Sequence, residues 1–161
     1  MNQNLDVLTI NGQKSIADEQ NAKAIFIRNF PQYSYIETPK AKAADVDAFL
    51  TKNGVIEAII ETKCRYDVTL EEFNQRYEGQ WLVTFDKLER AKILAKILKI
   101  DVVGFLYLVK SETLLIQKII GDGEYIGRIV IDKTKTQKTI NGGSIERINA
   151  FIDMTKSRNI K

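Results

Sequence analysis

The chain is organised around one segment, Val55-Ile-Glu-Ala-Ile-Ile-Glu-Thr-Lys63, with Asp47 just upstream. It is mostly apolar until it ends in Glu61-Thr62-Lys63. Read as a β-strand, it places Glu61 and Lys63 on one face and Thr62 on the other. A carboxylate and an ammonium at the end of an apolar strand are costly to bury without partners. That cost is the first sign of a site.

The segment before it, Asp45 to Leu50, alternates in character and predicts a second strand. Thr51-Lys-Asn-Gly54 then predicts a turn, since Asn and Gly accept positive φ. The register of this hairpin matters. A regular two-residue turn at Asn53-Gly54 pairs Lys52 with Val55 and sets Asp47 opposite Ile60. A three-residue loop instead sets Asp47 opposite Glu61, at the roughly 5 Å of cross-strand neighbours. A one-residue slip exchanges the faces. If Asp47 and Glu61 act together, the turn must be odd-numbered or bulged.

Around this hairpin, residues 1–14 read as a loose arm or an edge strand. Ser15 caps a helix predicted to run to about Phe30, where Pro31 stops it. Ile16, Gln20, Lys23, Ile27 and Phe30 follow helical spacing, and Glu19 lies beside them. Tyr33 to Glu37 predicts a first strand. Asp67 or Thr69 caps a short helix over about residues 70–78, ended by Gly79. Trp81–Phe85 predicts a strand, Asp86 caps a basic helix from Lys87 to Lys99, and Asp101–Val109 predicts a buried strand. Together these read as a βαβ-like crossover. Strands are expected at 113–119 and 125–131, a polar basic loop at 132–143, and a last helix capped by Ser144 through Ile152. All of this reads as a single domain.

Composition narrows the chemistry. The chain has 161 residues, 44% of them hydrophobic, which suffices for one real core. Its formal charge of +3 does not by itself imply nucleic acid. It contains no histidine, which removes imidazole general bases, Ser-His-Asp triads and histidine metal ligands. A single cysteine, Cys64, excludes an internal disulfide and a multi-cysteine zinc site. A metal site must then use oxygen ligands, which favours magnesium, manganese or calcium. No apolar run reaches the ~18 residues of a membrane span. The N-terminus lacks signal-peptide character. A soluble, cytoplasmic protein with no membrane partner is therefore expected.

Glu19 on a first helix, Asp47 in Val-Asp-Ala-Phe-Leu, Glu61-Thr-Lys63 in Ile-Ile-Glu-Thr-Lys-Cys, a basic helix and a buried strand form one constellation. It resembles the PD-(D/E)XK nuclease superfamily, which includes restriction endonucleases, Holliday-junction resolvases and phage nucleases. The resemblance covers about residues 15–109. It departs from the motif in having Val46, not proline, before Asp47. Asp45 shares a face with Asp47 and is an alternative first ligand.

The resemblance implies an α/β fold with a restriction endonuclease-like core, a mixed central β-sheet flanked by helices, and a C-terminal β/α extension at about 110–161. It also implies a Mg2+-dependent deoxyribonuclease, with Mn2+ as a substitute. Asp47, Glu61 and the Thr62 carbonyl would hold the metal. Lys63 would orient water or stabilise developing charge, and Glu19 would add a direct or water-mediated metal contact. Gln75, Gln80 and Lys87 are candidates for an accessory residue. DNA is the expected partner, with Lys87, Arg90, Lys133, Lys135 and Lys138 as phosphate contacts, and Lys156, Arg158 and Lys161 in a basic tail. A homodimer follows by analogy, through residues 113–161.

The chemistry suits the residues without the family. Two carboxylates and a divalent ion activate water and stabilise charge in phosphodiester hydrolysis. The plainer alternative is a surface ion pair between Glu61 and Lys63, worth little energetically. A further alternative is a catalytically silent protein on the same fold, acting as a DNA-binding or assembly module in a larger, phage-type complex. An unrelated small α/β binding domain is the third.

Overall fold

The structure of the chain is a computed structural model; it describes residues 10–39, 44–136 and 145–161. The elements in order are α1 (Ile10–Asn29), β1 (Tyr33–Glu37), β2 (Ala48–Lys52), β3 (Val55–Arg65), α2 (Leu70–Tyr77), β4 (Gln80–Thr84) and α3 (Phe85–Leu98). Then come β5 (Asp101–Leu108), a 3-10 turn at Val109–Ser111, β6 (Thr113–Gly121), β7 (Glu124–Tyr125), β8 (Ile129–Thr136), β9 (Ile145–Asp153) and β10 (Arg158–Ile160). The chain is a mixed α/β protein.

Among the described residues there are two sheets. The larger runs β1-β2-β3-β5-β6-β10, with β7 on β6; the smaller runs β4-β9-β8. β1, β2 and β3 form an antiparallel meander, and β5 lies parallel to β3. The large sheet is therefore mixed. The connection from β3 to β5 passes through α2, β4 and α3, as a parallel pair requires a long crossover.

The large sheet buries both faces. α1 covers one with Ala22, Ile25 and Phe26, which pack with Leu50, Ile60, Cys64 and Phe105. The small sheet, α2 and α3 cover the other through Phe73, Trp81, Val83, Leu88, Ala91 and Ile152, packed with Ile59, Leu106 and Leu115. β5, with both faces covered, is apolar almost throughout, the pattern of a central strand.

Several expectations need correction. α1 begins at Ile10, so residues 10–14 are helical rather than an arm or strand; residues 1–9 lie outside the described residues. The buried positions of α1 are Asp18, Ala22, Ile25 and Phe26 rather than the stripe through Ile16, Gln20 and Lys23. α3 starts at Phe85, so Asp86 sits inside its first turn instead of capping it. β4 does not pair with β5. It pairs antiparallel with β9 in the small sheet, so β4-α3-β5 links two sheets and is no crossover within one.

The stretch expected as a helix from Ser144 is strand β9 from Ile145, its edges taken by β4 and β8. Lys133 and Lys135, expected in a loop, lie on β8. Lys138 and Ser144 lie outside the described residues. The C-terminal extension is therefore β rather than β/α among the described residues. It is woven into both sheets through β6, β8, β9 and β10. The short helix matches its expected cap: Thr69 and Glu72 form a capping box.

Candidate active site

The site is built where β2 and β3 part. Asn53 and Gly54 turn the hairpin with φ of 52° and 77°, the positive values that a two-residue turn of this twist requires. Lys52 pairs with Val55 and Thr51 with Ile56, but Leu50 pairs with Ala58. Glu57 is therefore an extra residue, a β-bulge. It restores the parity that a regular two-residue turn lacks. Below it Phe49 faces Ile59 and Ala48 faces Ile60, so the next positions to meet are Asp47 and Glu61.

Pairing stops at Ala48. Asp45 to Asp47 form a bend rather than the start of the expected strand. Asp47 is held from both ends of its residue. The Thr38 N–H and hydroxyl donate to the Asp47 carbonyl at 3.1 and 2.9 Å, and the hydroxyl also donates to the Val46 carbonyl at 2.7 Å. Val46 is buried in the core between the sheets. The Asp47 carboxylate then takes the place of a missing strand partner: its Oδ2 accepts from the Thr62 N–H at 2.7 Å.

Its other oxygen faces a cation. Lys87 Nζ, from the first turn of α3, lies 2.8 Å from Asp47 Oδ1 and 2.7 Å from Glu61 Oε1. The two carboxylates thus converge on one point. Glu61 is 5% exposed, and its Oε2 is buried with no hydrogen-bond partner among the described residues. Burial raises its pKa to about 8. The Asp47 charge adds to the rise, and Lys87 and then Lys63 oppose it. For Lys87, burial favours the neutral amine, but Glu61 and Asp47 outweigh it and raise the pKa above the ordinary lysine value.

The burial of Glu61 has a cause in β5. Parallel pairing sets Gly104 beside Glu61. Gly104 has no side chain, and the ring of the fully buried Trp81 fills that space: a Cβ there would lie 2.4 Å from Trp81 Cζ3. Sequence reasoning passed over Gly104 and Trp81. The available signal was a glycine inside an apolar strand, which marks a close approach by another group.

The other expected residues divide. Lys63 shares the face of Glu61, is exposed, and acts electrostatically on it. Asp45 is exposed and pairs with Arg90 at 3.0 Å. Arg90 also binds Asp86 at 2.8 Å. Gln75 bonds Glu71 on α2, and Gln80 pairs with Asp153 at the start of β4. Of the accessory candidates, the fold brings only Lys87 to the carboxylates.

Glu19 lies on α1, beside Asp18. Its charge acts on Tyr66 and on Cys64, whose thiol is pushed up to about 12 by burial first and by Glu19 and Asp18 next. Lys133 lies in the small sheet, paired with Glu146 at 2.7 Å, and Lys135 is exposed two residues along the same strand.

Among the described residues, no group of three or more His, Cys, Asp or Glu side chains is placed to enclose a metal. Magnesium does not require one, because it commonly takes one or two carboxylates and keeps its waters. The convergent oxygens of Asp47 and Glu61, with the partnerless Glu61 Oε2, fit such an ion once Lys87 withdraws. No described helix is long and apolar enough to cross a membrane. No protein-family model matches the chain, and no curated protein matches it in sequence.

Proposed function

We propose that the chain is a Mg2+-dependent endonuclease that hydrolyses DNA phosphodiester bonds. The observation that carries this reading is the convergence of Asp47 Oδ1 and Glu61 Oε1 on one cation position at the parted ends of β2 and β3. The element order adds support. A helix, an antiparallel three-strand meander and a strand parallel to the third are compatible with a restriction endonuclease-like core.

Asp47 and Glu61, with the Thr62 carbonyl, would hold Mg2+ or Mn2+. The ion would supply Lewis-acid activation of a water and neutralise phosphate charge. The chain's own residues do the rest. The Thr62 N–H fixes the Asp47 carboxylate, and Thr38 fixes its backbone carbonyl. Trp81 packs over Gly104, the strand neighbour of Glu61. Lys63, exposed on the same face, would stabilise the charge that develops on an entering phosphate. Glu19, on α1, would add a direct or water-mediated metal contact. Lys133 and Lys135 of β8 are the proposed phosphate contacts, and their share of the affinity would fall with salt.

Incubation of plasmid, single-stranded and four-way-junction DNA with Mg2+ tests the reading. Cleavage of at least one substrate is expected, lost in Asp47→Asn and Glu61→Gln. Lys63→Ala should slow it about 100-fold or more. No cleavage of any substrate, or full activity in Lys63→Ala, overturns it.

One observation favours a second reading, a silent nuclease-fold module that binds DNA or a larger assembly. Lys87 already satisfies one oxygen of each carboxylate without a metal. DNA binding without any Mn2+ heat in titration calorimetry would select that reading.

A further inference from the structure

Lys87 stands where the proposed metal would stand. Its ammonium is within hydrogen-bond distance of both carboxylates, through the same two oxygens that converge. A divalent ion and an ammonium cannot share that point, because like charges in a poorly solvated site repel strongly. Asp47 and Glu61 in turn cannot face each other unneutralised at this depth without cost. A cation or a proton has to neutralise the pair in every state of the site.

We propose that Lys87 is a displaceable internal counter-ion: it fills the cation position when no divalent metal is bound, and metal loading exchanges with it. This rests on the metal-site reading above. The side chain of Lys87 is 32% exposed, so its head has a route to solvent, unlike Glu61, whose side chain is 6% exposed. Lys87 also lies in the first turn of α3, directly after β4, so a change of its side-chain rotamers moves the ammonium without moving a strand. Released, the ammonium remains at the mouth of the site with Lys63.

The exchange has a thermodynamic consequence. A ligand that must displace an occupant binds with an apparent affinity lowered by the occupied fraction. By reciprocity, the metal must loosen Lys87 as much as Lys87 weakens the metal. Lys87 is in this sense a positioning residue of the metal-free site, not a group defined by contact with substrate.

Two measurements test it. In wild-type protein with 15N-labelled lysine, the Lys87 Nζ resonance, assigned by its loss in Lys87→Arg, should show slow exchange with water in the absence of metal. Mg2+ should move it to the position of exposed lysines, saturating with metal binding. In titration calorimetry, Lys87→Met should bind Mn2+ about tenfold or more tightly than wild type. Mn2+ binding of equal strength in both proteins, with the Lys87 resonance unmoved by Mg2+, overturns the exchange and leaves the metal site standing. No Mn2+ binding in either protein overturns both. If Lys87→Met does not fold, the wild-type resonance decides alone.

Discussion

Glu61 has one carboxylate oxygen against an ammonium and the other, among the described residues, against no donor. The ordinary value of its pKa, 4.5, becomes about 8 in the fold, with burial as the main cause and the neighbouring Asp47 next. A raised acid binds its proton more tightly when folded. Its contribution to stability is complete below about 4.5 and is lost as pH rises through about 8. Lys87 adds no slope in that window, because its own pKa is raised above the ordinary 10.5 and its contribution is lost only in alkali. Metal-free protein should therefore become less stable between pH 5 and pH 8, by on the order of a few kcal/mol at most. Thermal unfolding in EDTA across that range measures it. Glu61→Gln, fixed in a neutral form, should flatten the slope and be more stable than wild type at pH 8. A wild-type melting temperature that does not change from pH 5 to pH 8 would sink this account of Glu61.

At the scale of the element, the hairpin geometry turns on Glu57. The need for a parity change was legible, because Asp47 and Glu61 cannot meet across a regular two-residue turn. Its location was not, since a bulge is chosen by twist and by edge contacts that no local pattern encodes. The pairs on both sides of the bulge, Thr51 with Ile56 and Leu50 with Ala58, would alternate regularly without Glu57. The tip is also exposed at Val55, Ile56 and Glu57. Deletion of Glu57 should therefore fold and keep Asp47 opposite Glu61. It should also keep the pH slope that Glu61→Gln removes. Loss of that slope in the deletion would mean that the bulge itself, through its twist, sets the carboxylate geometry. Strand β9 shows the opposite limit of legibility. Ile145, Ile148 and Ile152 fit a helix, while Ile148, Ala150 and Ile152 fit a strand, and a short apolar run supports both periods. Pairing with β4 and β8 decides between them, and those partners lie far away in sequence.

At the scale of the molecule, the long-range joint is Trp81 against Gly104. It joins the small sheet to the large one beside Glu61, which lies 43 residues before Gly104 in the chain and opposite it across the β3–β5 pair. Asp47, Glu61 and Lys63 were legible because they lie close together in sequence on one hairpin. Lys87 was one of three accessory candidates and Trp81 no candidate, because their place depends on β4 joining a second sheet. A methyl group at residue 104 tests the joint. In Gly104→Ala the Cβ would lie 2.4 Å from Trp81 Cζ3, 3.1 Å from Cη2 and 3.3 Å from Ile119 Cγ2, all in fully buried side chains. None of these is the free end of a flexible chain, so the sheets have to part or the indole has to turn. Overpacking of this kind costs about 1–3 kcal/mol. For a chain of this size each kcal/mol lowers the melting temperature by about 2–4 °C. Trp81 is the sole tryptophan, so its emission reports the joint directly. Gly104→Ala should melt earlier and shift that emission to the red, and Trp81→Phe in the same chain should recover part of the loss, since the smaller ring vacates the space. A Gly104→Ala protein with wild-type melting temperature and emission would show that the two sheets yield freely at this point, and that the burial of Glu61 must come from elsewhere.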